Sequence, residues 1–577
     1  MIYTSSATSL ENNDIKSTLC AFVGIFLAFL GLMSTSQAEV IEANSDDHSI
    51  EMKIESLNLD QKIGQLFILG VPEKLMNARL AAHLSATKPG AIILFNRNIQ
   101  TPAQVLHFNH QLQSLSQINS NVPLFIMVDQ EGGIVSRIRF NPPTPSALSL
   151  GSTQNKEYSF TSGQLTGSIL KLLGFNFNLA PVADITNPFQ YSFIGSRSFG
   201  KDPNIVYEHT KAFAQGLIQS QVIPTFKHYP GHGGDVDDSH KGLPIKASDL
   251  ETLEKKDLLP FINIARDKIP SAIMTAHLAL TSIDQKEVPA TYSKKLVTEL
   301  LREKYHYEGL VITDDLLMSG AFRNLSIGER AAKALEAGCD LLMVAWNPNQ
   351  QIEAINYIKA LVMGGKLNLE RIHQSLRRIL LYKSQIPKIA ETNKEQFAVQ
   401  FNELKKKFIK LSKDVTQENF NNQAKRLNTL KVIQNIDRPI VVFSAYRQFF
   451  NAVKLSVKNK THLVHLNKDS KVDPNKSLKE IGNSIGIFYV SGRITAKLLN
   501  SLTPNTKSKI IVINTTYPGI IKNQNSYMAI ININQRDNAI GKSVGNELEL
   551  LKIRKPAQVP SEKAKKENTS NNEALGT

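Results

Sequence analysis

Eight short apolar runs, with helix-like stretches between several of them, constrain the fold of this chain more than any other feature. The runs are QLFILG (65–70), AIILFN (91–96), PLFIMVD (123–129), FNFNLAPVAD (175–184), VIPTFKH (222–228), SAIMTAH (271–277), GLVITDD (309–315) and DLLMVAW (340–346). Continuous apolar runs of this length are typical of parallel strands that are buried on both faces of a sheet. Eight strand–helix units within about 330 residues predict an α/β fold, namely a (β/α)8 barrel of the TIM type.

Polar residues stand at or just past the carboxyl ends of most of these runs. They are Asn96, Arg97, Asp129, Asp184, Lys227, His228, His277 and Asp314. The carboxyl ends of barrel strands meet at one rim, where the active sites of barrel enzymes lie. A single polar strand end could be an ordinary turn residue, but its recurrence on most strands favours a shared site.

The chain beyond the eighth run predicts further domains, because 577 residues exceed one ordinary hydrophobic core. An amphipathic stretch at 371–383 would end a barrel domain spanning 39–385, and the polar stretch 386–430 predicts a helical connector. Further apolar runs predict a smaller α/β domain, doubly wound or sandwich-like, over 431–555. Those runs are PIVVFSA (439–445), HLVHLN (462–467), IGIFYVSG (485–492), KIIVINTT (509–516) and MAIININ (528–534). The lysine-rich tail 556–577 is typical of disordered sequence.

The net charge of +16 is concentrated in the second part of the chain. The first 385 residues hold 35 Lys and Arg against 36 Asp and Glu, whereas the rest hold 32 against 15. Such a basic part can bind an anionic cell-wall polymer, or it can simply keep the surface solvated. Neither a zinc-finger spacing nor an RNA-binding motif accompanies it, so nucleic acid is not an expected partner.

The N-terminal segment predicts export. The apolar run CAFVGIFLAFLGLM (20–33) is shorter than the ~20 residues that a membrane span needs, and STSQA (34–38) follows it. Small residues at that position suit an export peptidase, so residues 1–38 are a predicted signal peptide, cut after Ala38. We therefore expect the protein in the periplasm, in the cell envelope or outside the cell. The weakly charged start leaves an uncleaved anchor as the alternative.

The stretch KHYPGHGGDVDDSH (227–240) crowds three histidines, three aspartates and three glycines into fourteen positions. Metal binding would need a regular ligand spacing that this stretch lacks, and phosphate binding would need a lysine after the glycines rather than before them. Asp238 and His240 stand two apart, which suits a carboxylate that orients an imidazole for proton transfer. Glycines would let this loop move over a substrate. On this stretch alone, an exposed loop stays the alternative.

Two adjacent carboxylates, Asp314 and Asp315, end the seventh run. One of them could cap a helix. A carboxylate at a barrel rim could equally be a nucleophile, as in retaining glycosidases.

A set of ordered motifs resembles glycoside hydrolase family 3, specifically its β-N-acetylglucosaminidase branch. The motifs are NLDQKIGQLFILG (58–70), PGAIILFNRNI (89–99), VDQEGGIVSRI (128–138), IGSRSFGKDP (194–203), KHYPGHGGDVDDSH (227–240), MTAHLAL (274–280), PATYS (289–293), VITDDLLM (311–318) and AGCDLLMV (337–344). The resemblance covers about residues 50–385. So many motifs in one order make a chance match untenable.

The resemblance implies a role for each matching residue. Asp314 matches the nucleophile, His240 the acid/base and Asp238 its dyad partner. Sugar-binding residues are matched by Asp129, Arg137, Arg197, Lys227 and His228. Neither a metal nor an organic cofactor is expected.

The implied function is that of an exported, retaining exo-β-N-acetylglucosaminidase, which releases terminal β-linked GlcNAc from peptidoglycan fragments. The alternatives are a phosphorylase on the same scaffold and a non-catalytic protein that binds cell walls. One departure from the family is Ile134, where EGGRV is common; this isoleucine either packs beneath the loop or marks a lost polar contact.

Overall fold

The computed structural model describes residues 48–140, 143–188, 192–234, 238–239, 241–321, 324–387 and 393–426, and, further on, 440–444, 461–465, 485–490, 499, 502, 510–514 and 529–532. The predicted signal peptide (1–38) and the predicted tail (556–577) lie outside these residues. Within them, no helix combines the length and the apolar character that crossing a bilayer requires.

Eight parallel strands form a barrel, which confirms the predicted α/β fold. They are β1 (Phe67–Gly70), β2 (Ala91–Leu94), β3 (Phe125–Val128), β4 (Phe177–Asn178), β5 (Ile223–Tyr229), β6 (Ala272–Thr275), β7 (Leu310–Thr313) and β8 (Leu342–Val344). Each strand pairs with the next, β8 returns to β1, and a bridge between Ile312 and Leu341 joins β7 to β8. Each of the eight strands falls within one of the eight apolar runs or extends it by a single residue.

Nearly every strand residue is fully buried, as continuous apolar runs predict. Strand β4 is shorter than its run (175–184). Pro181 lacks the N–H that a strand residue donates to its neighbouring strand. The chain nevertheless stays close to β5, because Thr225 N–H donates to Ala180 O at 2.9 Å.

Helices surround the barrel. They are α1 (48–56), α2 (Leu59–Gly64), α3 (Ala78–Thr87), α4 (Pro102–Ser120), α5 (Ala147–Ser152), α6 (Lys156–Leu172), α7 (Pro203–Gln219), α8 (Leu250–Lys255), α9 (Leu259–Arg266), α10 (Thr281–Asp284), α11 (Ile327–Ala337), α12 (Pro348–Met363), α13 (Leu369–Ser384) and α14 (Lys394–Arg426), with a π-helical segment at Lys295–Lys304. Short 3-10 turns lie at Asn96–Asn98, Gly195–Arg197, Ala290–Tyr292 and Ser319–Ala321, and short strands at Gln130–Gly132, Val135–Ser136, Ile245–Lys246 and Ala279–Leu280.

Helix α11 illustrates how local sequence sets these limits. Ser326 and Glu329 form a capping box that satisfies the first free N–H groups. Gly338 ends the helix at φ 118°, which a residue with a side chain rarely adopts. The apolar stripe between them faces the barrel and is buried.

A buried carboxylate ties the barrel together at the end opposite the candidate site. Asp340, just before β8, accepts hydrogen bonds from Arg302 (2.6 Å), Arg378 (3.0 Å), Ser375 (2.8 Å) and the N–H of Val311 (3.0 Å). These partners join β7, β8, the π-helical segment and α13. Burial by itself would raise the pKa of Asp340, but the arginines outweigh it and lower that pKa.

Lys383, on the last turns of α13, closes the same end of the barrel. Its ammonium group donates to Gln65 Oε1 (2.6 Å) and Gly90 O (2.8 Å), just before β1 and β2. The side chain is almost fully buried, and burial lowers the pKa of Lys383 well below its usual value.

The long helix α14 follows the barrel and packs on its flank. Phe408 is buried and stacks on Phe140 at 5.3 Å. Asn419 donates to Ser149 O at 2.7 Å, and Ser412 donates to Pro143 O at 3.0 Å. This helix falls within the predicted connector, 386–430.

Five strands beyond α14 form a second, fully parallel sheet. They are β9 (Ile440–Ser444), β10 (Thr461–His465), β11 (Ile485–Val490), β12 (Ile510–Asn514) and β13 (Ala529–Asn532). The order β10-β9-β11-β12-β13 is that of doubly wound folds. Each strand coincides with one of the later apolar runs, within one residue, whereas the domain limits 39–385, 386–430 and 431–555 stay predictions.

Candidate active site

A cavity of about 540 Å³ opens at the carboxyl-end rim of the barrel. Its lining includes most of the residues singled out from the sequence. These are Asp129, Arg137, Arg197, Lys227, His228 and Asp314, joined by Glu131, His232, Ser239 and Asp315. The rim is where barrel enzymes hold their substrates.

A cluster of alternating charges forms one wall of the cavity. The ammonium group of Lys227 lies 3.0 Å from Asp129 Oδ1 and 2.7 Å from Glu131 Oε1. Arg197 donates to both oxygens of Glu131 at 2.8 Å, and Arg137 contacts Asp129 Oδ2 at 3.3 Å. Three cations and two anions thus hold one another in place, with side chains that suit sugar hydroxyl groups.

Glu131 is the member of this cluster that sequence reasoning missed. Burial would raise its pKa, but Arg197 and Lys227 outweigh burial and lower that pKa strongly. A hairpin of Gln130–Gly132 and Val135–Ser136 sets its position. At the turn, Gly132 has φ 97° and a side chain there would meet Pro145 O at 2.3 Å, which explains why the motif has glycine at this place.

Ile134, in the same turn, is 75% exposed. The expectation that it packs beneath the loop is therefore wrong, because the turn directs this side chain into solvent.

Asp184 orients His228. Its Oδ2 lies 2.6 Å from His228 Nδ1, and its Oδ1 accepts from the backbone N–H groups of His228 (3.1 Å) and His232 (2.7 Å). The Nδ1–H of the ring therefore points to Asp184, and Nε2 is the atom that can meet a substrate. The sequence placed Asp184 at a strand end but gave it no partner.

Asp314 lies at the end of β7 and faces the cavity. Its N–H donates to Thr275 O (3.2 Å), and its Oδ1 accepts from the N–H of Asp315 (2.8 Å). Burial would raise the pKa of Asp314, but the nearby His228, the N–H of Asp315 and Lys227 outweigh it and lower that pKa. The carboxylate is accordingly ionised at neutral pH, as a nucleophile must be.

Asp315 has the opposite environment. Burial raises the pKa of its carboxyl to about 7, although the N–H groups of Leu317 and Ala345 oppose this shift. Those two groups donate to Oδ1 at 3.2 and 3.3 Å. Asp315 therefore binds backbone N–H groups, although no helix of the described residues begins there, and both carboxyl groups line the cavity. Two neighbouring carboxyl groups with separated pKa values are typical of catalytic sites.

His277, which was predicted at the end of a strand, stabilises the backbone of this region. Its Nε2–H donates to Asp315 O at 3.1 Å, and its Nδ1 lies 3.0 Å from Thr291 Oγ1. Burial lowers the pKa of His277, so the ring is neutral and holds the backbone that carries both aspartates.

The predicted acid/base loop is described in part. His240 lies outside the described residues, as do Asp235, Val236 and Asp237. Asp238 is described, and Ser239 lines the cavity while its carbonyl accepts from Gly320 N at 2.9 Å. The loop thus returns to the rim beside the β7 end. The dyad of Asp238 and His240 stays a prediction.

His232 is a site residue to which the sequence gave no role. It is buried in the cavity wall, and its ring packs edge-on against Phe193 at 4.6 Å. Neither ring nitrogen has a hydrogen-bond partner in the described part of the chain. Burial lowers the pKa of His232 to about 4, so the ring is neutral at physiological pH.

Aromatic side chains form another part of the cavity wall. Trp346, two residues beyond β8, stacks on Phe95 at 4.7 Å, and the guanidinium carbon of Arg97 lies 4.0 Å from the Trp346 ring. The sequence predicted Arg97 as a rim residue but did not single out Trp346.

A metal site is not evident among the residues just described. No three His, Cys, Asp or Glu side chains of the described ranges group as ligands. Part of the aspartate- and histidine-rich loop lies outside those ranges, so the expected lack of a metal remains a prediction.

Comparison with known proteins places this site in a family. A family model described as "Glycosyl hydrolase family 3 N terminal domain" matches residues 58–381. Beta-hexosaminidase A of Pseudoalteromonas piscicida is 33% identical over 320 residues, which are 52% of this chain and 54% of that protein. Beta-hexosaminidase of Methylococcus capsulatus is 36% identical over 263 residues, 45% of this chain and 76% of that protein. This chain thus spans about half the length of the first relative.

Solved structures share the fold. A glycoside hydrolase family 3 beta-N-acetylglucosaminidase from Paenibacillus sp. str. FPU-7 superposes with a TM-score of 0.72 at 24% identity, covering 86% of this chain and 97% of that one. LpqI of M. tuberculosis gives a TM-score of 0.52 at 29% identity, covering 57% of this chain and 95% of that one.

Proposed function

Because this chain belongs to glycosyl hydrolase family 3 and is therefore a glycoside hydrolase, we propose that it is a retaining exo-β-N-acetylglucosaminidase. Its substrate would be a terminal β-linked GlcNAc, and peptidoglycan fragments are the proposed source. The naming of its relatives as beta-hexosaminidases supports the choice of sugar. The observation that carries the proposal is the ionised Asp314 in a cavity whose wall holds Lys227, Arg197 and Asp129.

The proposed reaction has two steps. In the first, an Asp314 oxygen attacks the anomeric carbon, and the bond from that carbon to the leaving oxygen breaks. His240, supported by Asp238, gives its proton to the leaving oxygen. In the second step, His240 takes a proton from water, whose oxygen attacks the anomeric carbon and frees Asp314. Two inversions give net retention.

The charged cluster would bind the hydroxyl groups of the same sugar. Its paired cations and anions are already fixed before a substrate enters, so little ordering is required at binding. His228 Nε2 would add one hydrogen bond, since Asp184 holds the other ring nitrogen.

Hydrolysis of an aryl β-GlcNAc substrate tests the reaction. Asp314→Ala should lower kcat by a factor on the order of 10³ or more, because the covalent step is lost. His240→Ala should slow substrates with poor leaving groups more than those with good ones. The first sugar released should be the β-anomer, as followed by NMR. An α-anomer, or preferred cleavage of the matching β-glucoside or β-xyloside, would refute the proposal.

Two controls in that assay address the alternative functions. Added phosphate should not divert the product to GlcNAc 1-phosphate; if it does, the protein is a phosphorylase. Chelator should leave the rate unchanged. A protein that cleaves none of the substrates yet pellets with cell walls would be a non-catalytic binding protein.

We also propose that the protein is exported and that its basic C-terminal part binds an anionic cell-wall polymer. The apolar run 20–33 and the local excess of 17 positive charges support this. We expect the mature chain to begin at Glu39 and to pellet with isolated cell walls at low salt. About 1 M salt, which shortens the Debye length to about 3 Å, should release it. Retention at that salt concentration would contradict an electrostatic attachment.

A further inference from the structure

The cavity has an aromatic side in addition to its charged side. Trp346 lines the same cavity as Asp314 and is 57% exposed. Tryptophan is the largest side chain and is usually well buried, so this exposure is unusual for a residue in a folded wall. A ring with both faces covered could not remain more than half exposed. One face of the indole is therefore open.

The exposed ring is nevertheless firmly held. Phe95 stacks on it with a 28° angle between the ring planes, and the guanidinium group of Arg97 lies against it. Arg97 is itself fixed, because its Nε donates to Val71 O (3.1 Å) and its Nη2 to Ala345 O (3.3 Å). A ring that is fixed and yet uncovered is preorganised to bind a ligand.

The position of Trp346 in the barrel defines which part of a substrate it would meet. The side chains of the charged cluster follow β3 and β5 or precede α7, whereas Trp346 follows β8, which is opposite β4 in a ring of eight strands. Asp314 follows β7 and lies next to the β8 side. A sugar held by the charged cluster with its anomeric carbon at Asp314 would project its leaving group towards Trp346.

We propose that Trp346 is a stacking platform for the leaving-group side of the substrate, and that it selects substrates whose aglycone is a ring. The C–H face of a pyranose is apolar and flat enough to pack on an indole. The inference rests on the proposed glycosidase function.

Kinetics of Trp346→Ala test this platform. Two substrates are compared, the β-1,4-linked GlcNAc disaccharide, whose aglycone is a ring, and methyl β-GlcNAc, whose aglycone is not. The ratio of their kcat/KM values should fall about tenfold, because one stacking contact is lost for the disaccharide alone. The loss should be mainly in KM. Trp346→Phe, which keeps a flat ring, should recover most of the ratio.

Ile118→Ala is the matched control, since Ile118 is 81% exposed and lies outside the cavity lining. It should leave the ratio unchanged. An equal loss on both substrates in Trp346→Ala, or no loss on either, would overturn the platform.

Fluorescence gives a second, independent measurement. Trp346 is the only tryptophan of the chain, so the emission of the full-length protein reports on this position alone. A non-hydrolysable, sulfur-linked GlcNAc disaccharide should change that emission in a saturable way, and free GlcNAc should change it much less.

The two measurements separate this inference from the proposed function. If the protein cleaves neither substrate, the glycosidase proposal fails, and the fluorescence titration still decides the platform. A saturable change with the disaccharide would support it. An unchanged emission, with disaccharide binding established by calorimetry, would overturn it.

Discussion

Asp314 and Asp315 are adjacent in sequence and have opposite proton affinities. His228 and Lys227 near Asp314 lower its pKa, whereas burial raises the pKa of Asp315 to about 7. Sequence reasoning selected Asp314 through a family resemblance, but it could not assign Asp315. The difference depends on which backbone N–H groups and which charged side chains each carboxyl group reaches, and two adjacent aspartates in a sequence do not indicate that.

The raised pKa of Asp315 predicts a pH-dependent stability. An unfolded Asp loses its proton near pH 4, but the folded Asp315 keeps its proton until about pH 7. The folded state therefore binds more protons across this window, so its stability should fall as pH rises from about 4 to about 7. In wild type, the free energy of unfolding should fall by a few kcal/mol across this pH range, and Asp315→Asn should remove most of that fall. Urea titrations at several pH values measure it.

Glu287→Gln provides the control, because Glu287 is an exposed carboxylate. It should keep the wild-type slope. A slope equally steep in Asp315→Asn would contradict the assigned environment.

The other site residues also divide into those that the sequence predicted and those that it did not. Asp129, Arg137, Arg197, Lys227, His228 and Asp314 were all predicted, and the structure brings them to one cavity. Glu131 was not predicted, and Asp184 was placed at a strand end without a partner, although both lie in or beside recognised stretches. Their roles arise from a hairpin and from a long-range pair with His228, 44 residues away, and neither has a local signal.

At the scale of elements, the strands were predictable because burial on both faces leaves a continuous apolar run. The small hairpin after β3 and the π-helical segment at Lys295–Lys304 were not. The strands of the hairpin are too short to show an alternation of apolar and polar residues. The π-helical turns have the same amphipathic pattern as an α-helix.

Asp340 links four of these elements, and its loss should be costly. Asp340→Ala would leave Arg302, whose side chain is 11% exposed, and the partly exposed Arg378 without their carboxylate. We expect a loss of about 3–5 kcal/mol in the free energy of unfolding, measured by urea titration. Asp60→Ala, which removes an exposed pair with Lys359, should cost only about 0–1 kcal/mol. Similar losses in the two variants would mean that the buried network contributes little.

At the scale of the whole molecule, helix α14 is the part that leads from the barrel towards the second sheet. Its polar composition predicted a connector. The structure shows that one stripe of it is apolar and packs on the barrel through Phe408, Leu411 and Val415. A mean over the whole helix conceals such a stripe, which is why the sequence predicted a helix here but not its packing.

Phe408→Ala should detach this helix in part. Removing a buried phenylalanine costs about 3–5 kcal/mol, and the loss should fall on the α14 contacts. Amide hydrogen exchange should rise across Lys394–Arg426 more than in the barrel strands. Val399→Ala, at a 59% exposed position of the same helix, should leave exchange unaltered. Uniform exchange across both variants would argue against this docking.

The hydrogen bonds from Lys383 to Gln65 and Gly90 have a consequence for folding during synthesis. The partners lie 318 and 293 residues apart in the chain. A ribosome that adds about 5–20 residues per second needs roughly 15–65 s to pass from the first partner to the last. During that interval, the early strands exist without the ammonium group that ties them to the end of the domain. Those apolar strands are therefore synthesised well before the group that completes this end of the barrel.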